Sequence, residues 1–109
     1  MNDTLDLTAM RKAAEAACGL MKTLSNPDRL LLLCVLSEGE SNVSELEATL
    51  GIVQPTLSQQ LAVLREQGLV ATRREGKSIY YSLASPQAMA VLQTLDEQFC
   101  RPPPKRSRR

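Results

Sequence analysis

The sequence contains no histidine and only three cysteines, with no C-x-x-C pair among them. The Ser-His-Asp and Cys-His arrangements use histidine to activate a weak nucleophile, so its absence excludes both of these catalytic arrangements. A zinc site would have to combine widely separated thiols with carboxylates, which is an unusual ligand set. We therefore predict that the protein is not an enzyme and has neither a metal site nor another cofactor.

Long apolar runs are also absent from the chain. It has no stretch of 18 apolar residues, and its N-terminal sequence, MNDTLDLT, has neither a basic start nor an apolar segment behind it. We therefore expect a cytoplasmic protein without a membrane span, a signal peptide or a membrane partner. A structural disulfide is disfavoured in the reducing cytosol. The cysteines are then expected to fill the core, to bind a metal or metalloid, or to carry redox chemistry.

The charge is distributed unevenly along the 109 residues. Residues 1–100 carry eight Lys and Arg side chains against all twelve acids, whereas residues 101–109, RPPPKRSRR, carry five cations. We predict one domain over 1–100 that completes its burial by dimerising, followed by a disordered basic tail over 101–109. The tail either contacts an anionic polymer or only solubilises the protein. Four body cations follow position 60: Arg65, Arg73, Arg74 and Lys77.

Apolar spacing predicts two helices in the first third of the chain. Residues 9–24 have one apolar stripe, from Met10 to Leu24, and Thr8 is a suitable cap. Pro27 suits the first position of a second helix, with Asn26 or Ser25 as its cap. Because LLLLCVL, residues 30–36, is apolar on all sides, this second helix is expected to form the buried centre of the fold.

Two short helices then predict a helix-turn-helix. The Ser44-x-x-Glu47 pattern is a capping box for the third helix, and Gly51 is its expected stop. Pro55 opens a fourth helix that ends at Gly68. The two helices are separated by only a few residues, as this motif requires.

The remaining sequence predicts a hairpin and a final helix. LVATRR and KSIYYSL are two strands joined at Glu75-Gly76, with a small additional strand at 42–43. Ser85-Pro86 caps the last helix, whose apolar stripe runs from Met89 to Phe99. The predicted fold is mainly α with a β-hairpin wing, a winged helix-turn-helix in the order α-α-α-α-β-β-α.

The outer face of the fourth helix is the candidate DNA-binding surface. With Leu57, Leu61 and Leu64 facing inward, its outer face carries hydroxyl and amide groups. Glutamine can pair with adenine, and hydroxyls can bond several base edges, while nearby cations contact phosphate. An ordinary solvated helix and a protein-docking module are the alternatives. The predicted DNA-binding residues are Gln54, Thr56, Ser58, Gln59, Gln60, Arg65, Arg73, Arg74 and Lys77.

Residues 24–83 resemble the ArsR/SmtB family of bacterial winged-helix repressors. The motifs that carry the resemblance are L-S-N-P-x-R-L at 24–30, S-E-L at 44–46, P-T-L-S-Q-Q-L at 55–61, L-R-E-x-G-L-V at 64–70 and G-K-x-I-Y-Y-S-L at 76–83. The resemblance implies a homodimer formed by the first and last helices. It also implies that the protein binds an inverted-repeat operator in double-stranded DNA and releases it when an inducer binds.

The chain departs from the metal-sensing members of that family. Those members have a C-x-C pair where this chain has residues 41–43, SNV, and they use His, Asp or Glu ligands on the last helix. This chain has no cysteine near position 42 and no histidine at all. The resemblance therefore does not extend to their modes of metal induction.

Cys34 and Cys100 resemble the thiol pair of the sulfide- and redox-responsive branch, the biofilm growth-associated repressors. That resemblance implies that reactive sulfur species or oxidants bridge the two thiols, by a disulfide or a polysulfide, and that the protein then leaves DNA. Alternatively, Cys34 is a small buried hydrophobe, and the repressor senses arsenite or another thiophilic ligand, or is constitutive. Cys100 precedes a cluster of cations that favours the thiolate. Cys18 has no predicted role.

Overall fold

The computed structural model describes residues 6–100, and their elements follow the predicted order. Short connections join the helices and strands, and a π-helical turn extends the last helix. The helices are α1 (Leu7–Leu24), α2 (Pro27–Ser37), α3 (Val43–Leu50), α4 (Thr56–Glu66) and α5 (Pro86–Leu95), the strands are β1 (Ser41–Asn42), β2 (Val70–Glu75) and β3 (Ser78–Leu83), and the π-helical turn is Asp96–Cys100. The predicted class, a mainly α fold with an antiparallel hairpin, is confirmed. The predicted tail over 101–109 lies outside the described residues.

Leucines from α2, α3 and α4 form the centre of the core. The predicted inward positions of α4, Leu57, Leu61 and Leu64, are all buried, and Leu46 of α3 packs with them. Within the LLLLCVL segment, Leu32 and Leu33 are completely buried, but Leu31 is 48% exposed. The expectation that this whole segment is buried is therefore wrong at Leu31, which lies on a side of α2 that the described residues leave partly exposed.

Helix α1 starts earlier than predicted and lies largely outside the core. Asp6, not Thr8, is its cap, since the Asp6 carboxylate accepts from the Thr8 and Ala9 amides at 3.1 and 3.2 Å. Of the predicted apolar stripe, Leu24 is buried, whereas Met10 and Met21 remain 50% and 58% exposed. Among residues 6–100, the C-terminal end of this stripe is the part that is buried in the core.

The capping box of α3 is formed by Asn42 and Glu45, so the prediction of Ser44 and Glu47 is wrong. The Asn42 side chain accepts from the Glu45 amide at 2.8 Å, and the Glu45 carboxylate accepts from the Asn42 amide at 2.9 Å. Asn42 also ends β1, which lies one residue before the predicted 42–43. Gly51 stops the helix with φ +70, as expected of a left-handed C-terminal residue.

The β-hairpin forms the wing of the fold. Its sheet order is β1-β3-β2, and all neighbouring strands are antiparallel. Glu75 pairs with Ser78, so the turn falls at Gly76 and Lys77, one residue after the predicted Glu75-Gly76. Gly76 has φ +63, a conformation that glycine adopts without strain. The register places Arg73 opposite Tyr80.

The last helix begins as predicted, and its apolar stripe is buried only in part. Ser85 caps α5 by accepting from the Ala88 amide at 3.0 Å, and Pro86 occupies the first turn. Leu92 of the predicted apolar stripe is buried, whereas Phe99 of the same stripe, in the π-helical turn, is 80% exposed. No helix within residues 6–100 is both long and apolar enough to cross a membrane.

Candidate DNA-binding surface and thiol pair

Helix α4 presents a polar outer face because its three leucines are anchored in the core. Ser58, Gln59 and Arg65 are exposed on this helix, and Gln54 is exposed just before it. Thr56, at the first helical position, is half-buried. In a helix-turn-helix the second helix is the recognition helix, and the residues near its N-terminus contact base edges. The predicted surface is therefore accessible at these positions, with α4 as the recognition helix.

Gln54 organises the start of the recognition helix. Its side-chain oxygen accepts from the Ser58 amide at 3.1 Å and from the Ser58 hydroxyl at 2.6 Å. The first helical amides have no partner within a helix, so this bond satisfies one of them. This interaction could not be predicted from the sequence, because glutamine is not among the usual capping residues. Gln54 and Ser58 thus form one fixed pair on the candidate surface.

Gln60 differs from the other predicted DNA-binding residues of α4. It is half-buried, and its side-chain oxygen accepts from Nη1 of Arg29 on α2 at 3.0 Å. The neighbouring Gln59 is exposed. The two glutamines are adjacent in sequence, yet only Gln59 projects to the outside without a side-chain hydrogen bond to another described residue.

The three predicted cations of the wing fall into two groups. Arg73 donates to both carboxylate oxygens of Glu40 at 2.9 and 2.6 Å and to Glu75 at 2.7 Å, and its guanidinium lies 4.7 Å from the Tyr80 ring centre. Arg74 and Lys77 are exposed and make no ion pair within the part of the chain that the structure describes. The free positive charge of the wing therefore lies at its outer end.

The ion pair of the wing shifts the pKa values of its two partners in opposite directions. The hydrogen bond from Arg73 holds the pKa of the Glu40 carboxylate below its usual range. The hydrogen bonds to Glu40 and then to Glu75 raise the pKa of Arg73. Both effects favour the charged forms, so the pair is ionised throughout the physiological pH range. Glu40 was not among the predicted site residues, since its partner lies 33 positions away in sequence.

Cys34 and Cys100 lie on two different elements, α2 and the C-terminal π-helical turn. Cys34 is half-buried on α2, whereas Cys100 is exposed at the end of the π-helical turn. Burial raises the pKa of the Cys34 thiol, and the negative charges of Cys100 and Asp96 raise this pKa further. The Cys100 thiol is thus near enough to act on Cys34 electrostatically. Cys18 is exposed on α1, and all three cysteines are free thiols.

The geometry defines a winged helix-turn-helix. A capped α3, a tight turn at Gly51, an exposed recognition helix and an adjacent basic hairpin follow each other in the order of that DNA-binding fold. No group of three or more Cys, Asp or Glu side chains within residues 6–100 is arranged to hold a metal ion.

Comparisons with known proteins agree with this class. Residues 26–72 match the family described as bacterial regulatory protein, arsR family. The biofilm growth-associated repressor of Agrobacterium fabrum is 53% identical over 98 residues, which are 90% of this chain and 84% of that protein. The chain belongs to the ArsR family of bacterial regulatory proteins, and within it resembles the biofilm growth-associated repressors.

Solved structures support the same assignment. The repressor BigR from Xylella fastidiosa has a TM-score of 0.81 at 49% identity, over 90% of this chain and 100% of that chain. A winged helix-turn-helix DNA-binding domain from Mycobacterium bovis, described as homodimeric, has a TM-score of 0.70 at 29% identity, over 88% of this chain and 87% of that one. The fold is therefore shared over nearly all of the described residues.

Proposed function

We propose that the protein is a homodimeric transcriptional repressor whose affinity for an inverted-repeat operator depends on whether the Cys34 and Cys100 thiols are reduced or bridged. The proposal is supported by the electrostatic effect of Cys100 on the Cys34 thiol, together with the position of Cys34 on α2, which packs against the recognition helix. Oxidants or reactive sulfur species are the proposed inducers, and bridging of the thiols releases the DNA.

The DNA-binding part of the proposal uses the exposed polar groups of α4 and the free cations of the wing. The Gln59 amide can pair with N6 and N7 of adenine in the major groove, and the Gln54–Ser58 pair offers further polar contacts. Arg74 and Lys77 at the end of the wing contact phosphate and set the register. Arg65, exposed in the last turn of α4, adds a further phosphate contact.

Dimerisation is supported by the apolar surface that is exposed among residues 6–100. Met10 and Met21 lie on the exposed stripe of α1, and Phe99 projects from the C-terminal turn. Large apolar side chains in such number indicate an interaction surface rather than isolated exposure. A dimer formed by α1 and the C-terminal helix places two recognition helices on one duplex, at about 34 Å, one helical turn of DNA.

The thiol chemistry follows from the different exposure of the two sulfurs. We expect the exposed Cys100 thiolate to attack the sulfane sulfur of a persulfide, which releases the donor's thiol and leaves a persulfide on Cys100. The Cys34 thiolate then attacks Sγ of Cys100, and hydrogen sulfide leaves as the disulfide forms. If a second sulfur has been added first, attack on the middle sulfur gives a three-sulfur bridge by the same displacement.

A bridge joins α2 to the C-terminal turn and so changes how α2 supports α4. Each tenfold loss of operator affinity requires a difference of about 1.4 kcal/mol between the two states. A geometric mismatch at one recognition helix of the dimer supplies a loss of this kind.

The proposal is tested first by selecting duplexes from a random pool with the reduced protein and measuring affinity by fluorescence anisotropy. An inverted-repeat consensus with strong salt dependence is expected. A protein-docking module would select no sequence. Cys34→Ser and Cys100→Ser proteins are then treated with an organic persulfide beside Cys18→Ser, which serves as the control. The proposal requires that Cys18→Ser leaves the selected duplex as the wild type does, and that Cys34→Ser and Cys100→Ser stay bound.

A further inference from the structure

We infer that Arg29 is a positioning residue that fixes the recognition helix relative to α1 through Gln60, and so sets the discrimination between the operator and other DNA. The inference rests on the proposed DNA binding. It assigns a task to the arginine of the L-S-N-P-x-R-L motif, which the DNA-binding surface and the thiol pair leave unexplained.

The Arg29 guanidinium lies where three helices meet. Its Nε donates to the Thr23 carbonyl at 2.7 Å, and its Nη2 donates to the Lys22 carbonyl at 3.4 Å. The last carbonyls of a helix have no partner within that helix and carry partial negative charge. Arg29 therefore closes the C-terminal end of α1 with both a hydrogen-bond donor and a positive charge.

The third nitrogen of the same side chain reaches the recognition helix. Nη1 of Arg29 donates to the side-chain oxygen of Gln60 at 3.0 Å, across 31 positions of sequence. The backbone of Arg29 is itself fixed, since its amide donates to the Asn26 side chain at 3.1 Å in the cap of α2. One rigid, planar group thus joins the end of α1, the start of α2 and the middle of α4.

This contact separates the tasks of the two adjacent glutamines. Bidentate pairing with adenine needs both the oxygen and the nitrogen of an amide. The Gln60 oxygen is engaged by Arg29, while the Gln59 side chain is exposed. Binding sites need their contacting groups held within about 0.5 Å of the productive geometry. Gln60 therefore orients α4, and Gln59 is the glutamine that contacts bases.

Arginine is required at position 29 because its three donor nitrogens point in fixed, different directions within a plane. A lysine ammonium is a single point on a flexible stem and cannot hold the same acceptors in the same geometry. Arg29→Lys is consequently expected to weaken operator binding while it retains the charge.

A double-mutant cycle on reduced protein tests the inference, with the duplex selected by the wild type and a scrambled duplex of equal length as probes. Arg29→Gln and Gln60→Ala should each lower the ratio of operator to scrambled affinity about tenfold. The double variant should lose no more than either single variant. Arg29→Gln combined with Gln59→Ala should instead show the product of the two losses. If the losses of the single variants multiply in the cycle with Gln60→Ala as they do in the cycle with Gln59→Ala, the inference is wrong.

A second comparison uses Gln60→Glu and Gln59→Glu, which keep the size of the side chain and therefore the packing of the helix. Gln60→Glu keeps an acceptor for Arg29 and forms an ion pair with it, so operator preference should survive, whereas Gln59→Glu should abolish it. If Gln60→Glu abolishes operator preference while its thermal unfolding is unchanged, Gln60 contacts bases and the positioning role is wrong. If the wild type itself prefers no sequence, the DNA-binding proposal has failed, which is a different result from either.

Discussion

Arg73 and Glu40 form a two-bond ion pair that joins β2 of the wing to the segment before β1. The guanidinium donates to both carboxylate oxygens, at 2.9 and 2.6 Å, and the side chains are 50% and 34% exposed. Glu75 occupies a further nitrogen of the same guanidinium at 2.7 Å. Two carboxylates thus surround one arginine, so its positive charge is locally outweighed. We therefore expect Arg73 to stabilise the wing rather than to contact phosphate.

The first prediction concerns the salt dependence of operator binding. Lys77→Gln and Arg74→Gln should each reduce the slope of log affinity against log salt by about 1, because each removes one phosphate contact. Arg73→Gln should leave the slope near that of the wild type. Anisotropy titrations at four salt concentrations measure the slopes, and a full unit lost in Arg73→Gln would show that Arg73 contacts phosphate.

The ion pair itself is tested by two charge-matched variants. Glu40→Gln removes the partner of Arg73, whereas Glu38→Gln removes an exposed acid that makes no ion pair within residues 6–100. If Arg73 positions the wing, Glu40→Gln should bind the operator more weakly than Glu38→Gln. Tighter binding of Glu40→Gln would mean that the carboxylate keeps Arg73 away from DNA.

A second prediction concerns the cap of α3. Asn42→Ala removes the side-chain acceptor of the capping box and should lower the free energy of unfolding by about 1 kcal/mol. Ser44→Ala changes an exposed position without such a bond, and its effect should stay within about 0.5 kcal/mol. Urea denaturation of both variants at equal protein concentration measures the two free energies of unfolding. A larger loss in Ser44→Ala would contradict the assigned capping box.

A third prediction follows from the raised pKa of Cys34. The folded protein holds this thiol proton to higher pH than the unfolded chain, whose cysteine titrates near the ordinary pKa of about 8.5. The resulting stabilisation is complete below that pH and is lost as the pH rises through the folded pKa. Urea unfolding in a reducing buffer should show this alkaline loss in the wild type, and a smaller loss in Cys34→Ser. An equal loss in both proteins would contradict the assignment.

A fourth prediction tests the proposed dimer surface. Met21→Glu puts a charge on the exposed apolar stripe of α1 and should raise the dimer dissociation constant at least about tenfold, because a charge buried in an interface without a partner is costly. Sedimentation velocity over a concentration series measures the change. Lys12→Glu, a charge reversal on an already charged position of α1, is a control for net charge. Unaltered dimerisation of Met21→Glu would place the interface elsewhere.

Elements with a local signature were predictable from the sequence. The spacing of Leu57, Leu61 and Leu64 identified the buried side of α4, and Ser85-Pro86 identified the start of α5. The α3 cap was missed because two overlapping patterns fit the sequence. Asn42 takes the cap because pairing of β1 with Tyr80 holds it extended, with φ −91 and ψ 174, the conformation that a cap needs.

Contacts across the fold could not be predicted in the same way. The Arg73–Glu40 and Arg29–Gln60 bonds join residues 33 and 31 positions apart, and they depend on how the wing and the helices dock. Neither appears as a spacing in the sequence. The pairing of Cys34 with Cys100 was implied by family resemblance alone and stays a prediction, to which the structure adds that Cys100 raises the pKa of the Cys34 thiol.

The proposed thiol switch is tested by measuring thiol state and DNA binding on the same sample. Reduced protein is treated with an organic persulfide, divided, and analysed by intact mass spectrometry with peptide mapping and by anisotropy on the selected duplex. We predict that molecules bridged between Cys34 and Cys100 bind the duplex at least about tenfold more weakly and that dithiothreitol restores both mass and binding. Bridged protein that keeps the affinity of the reduced form, or release without a bridge, would contradict the proposed thiol switch.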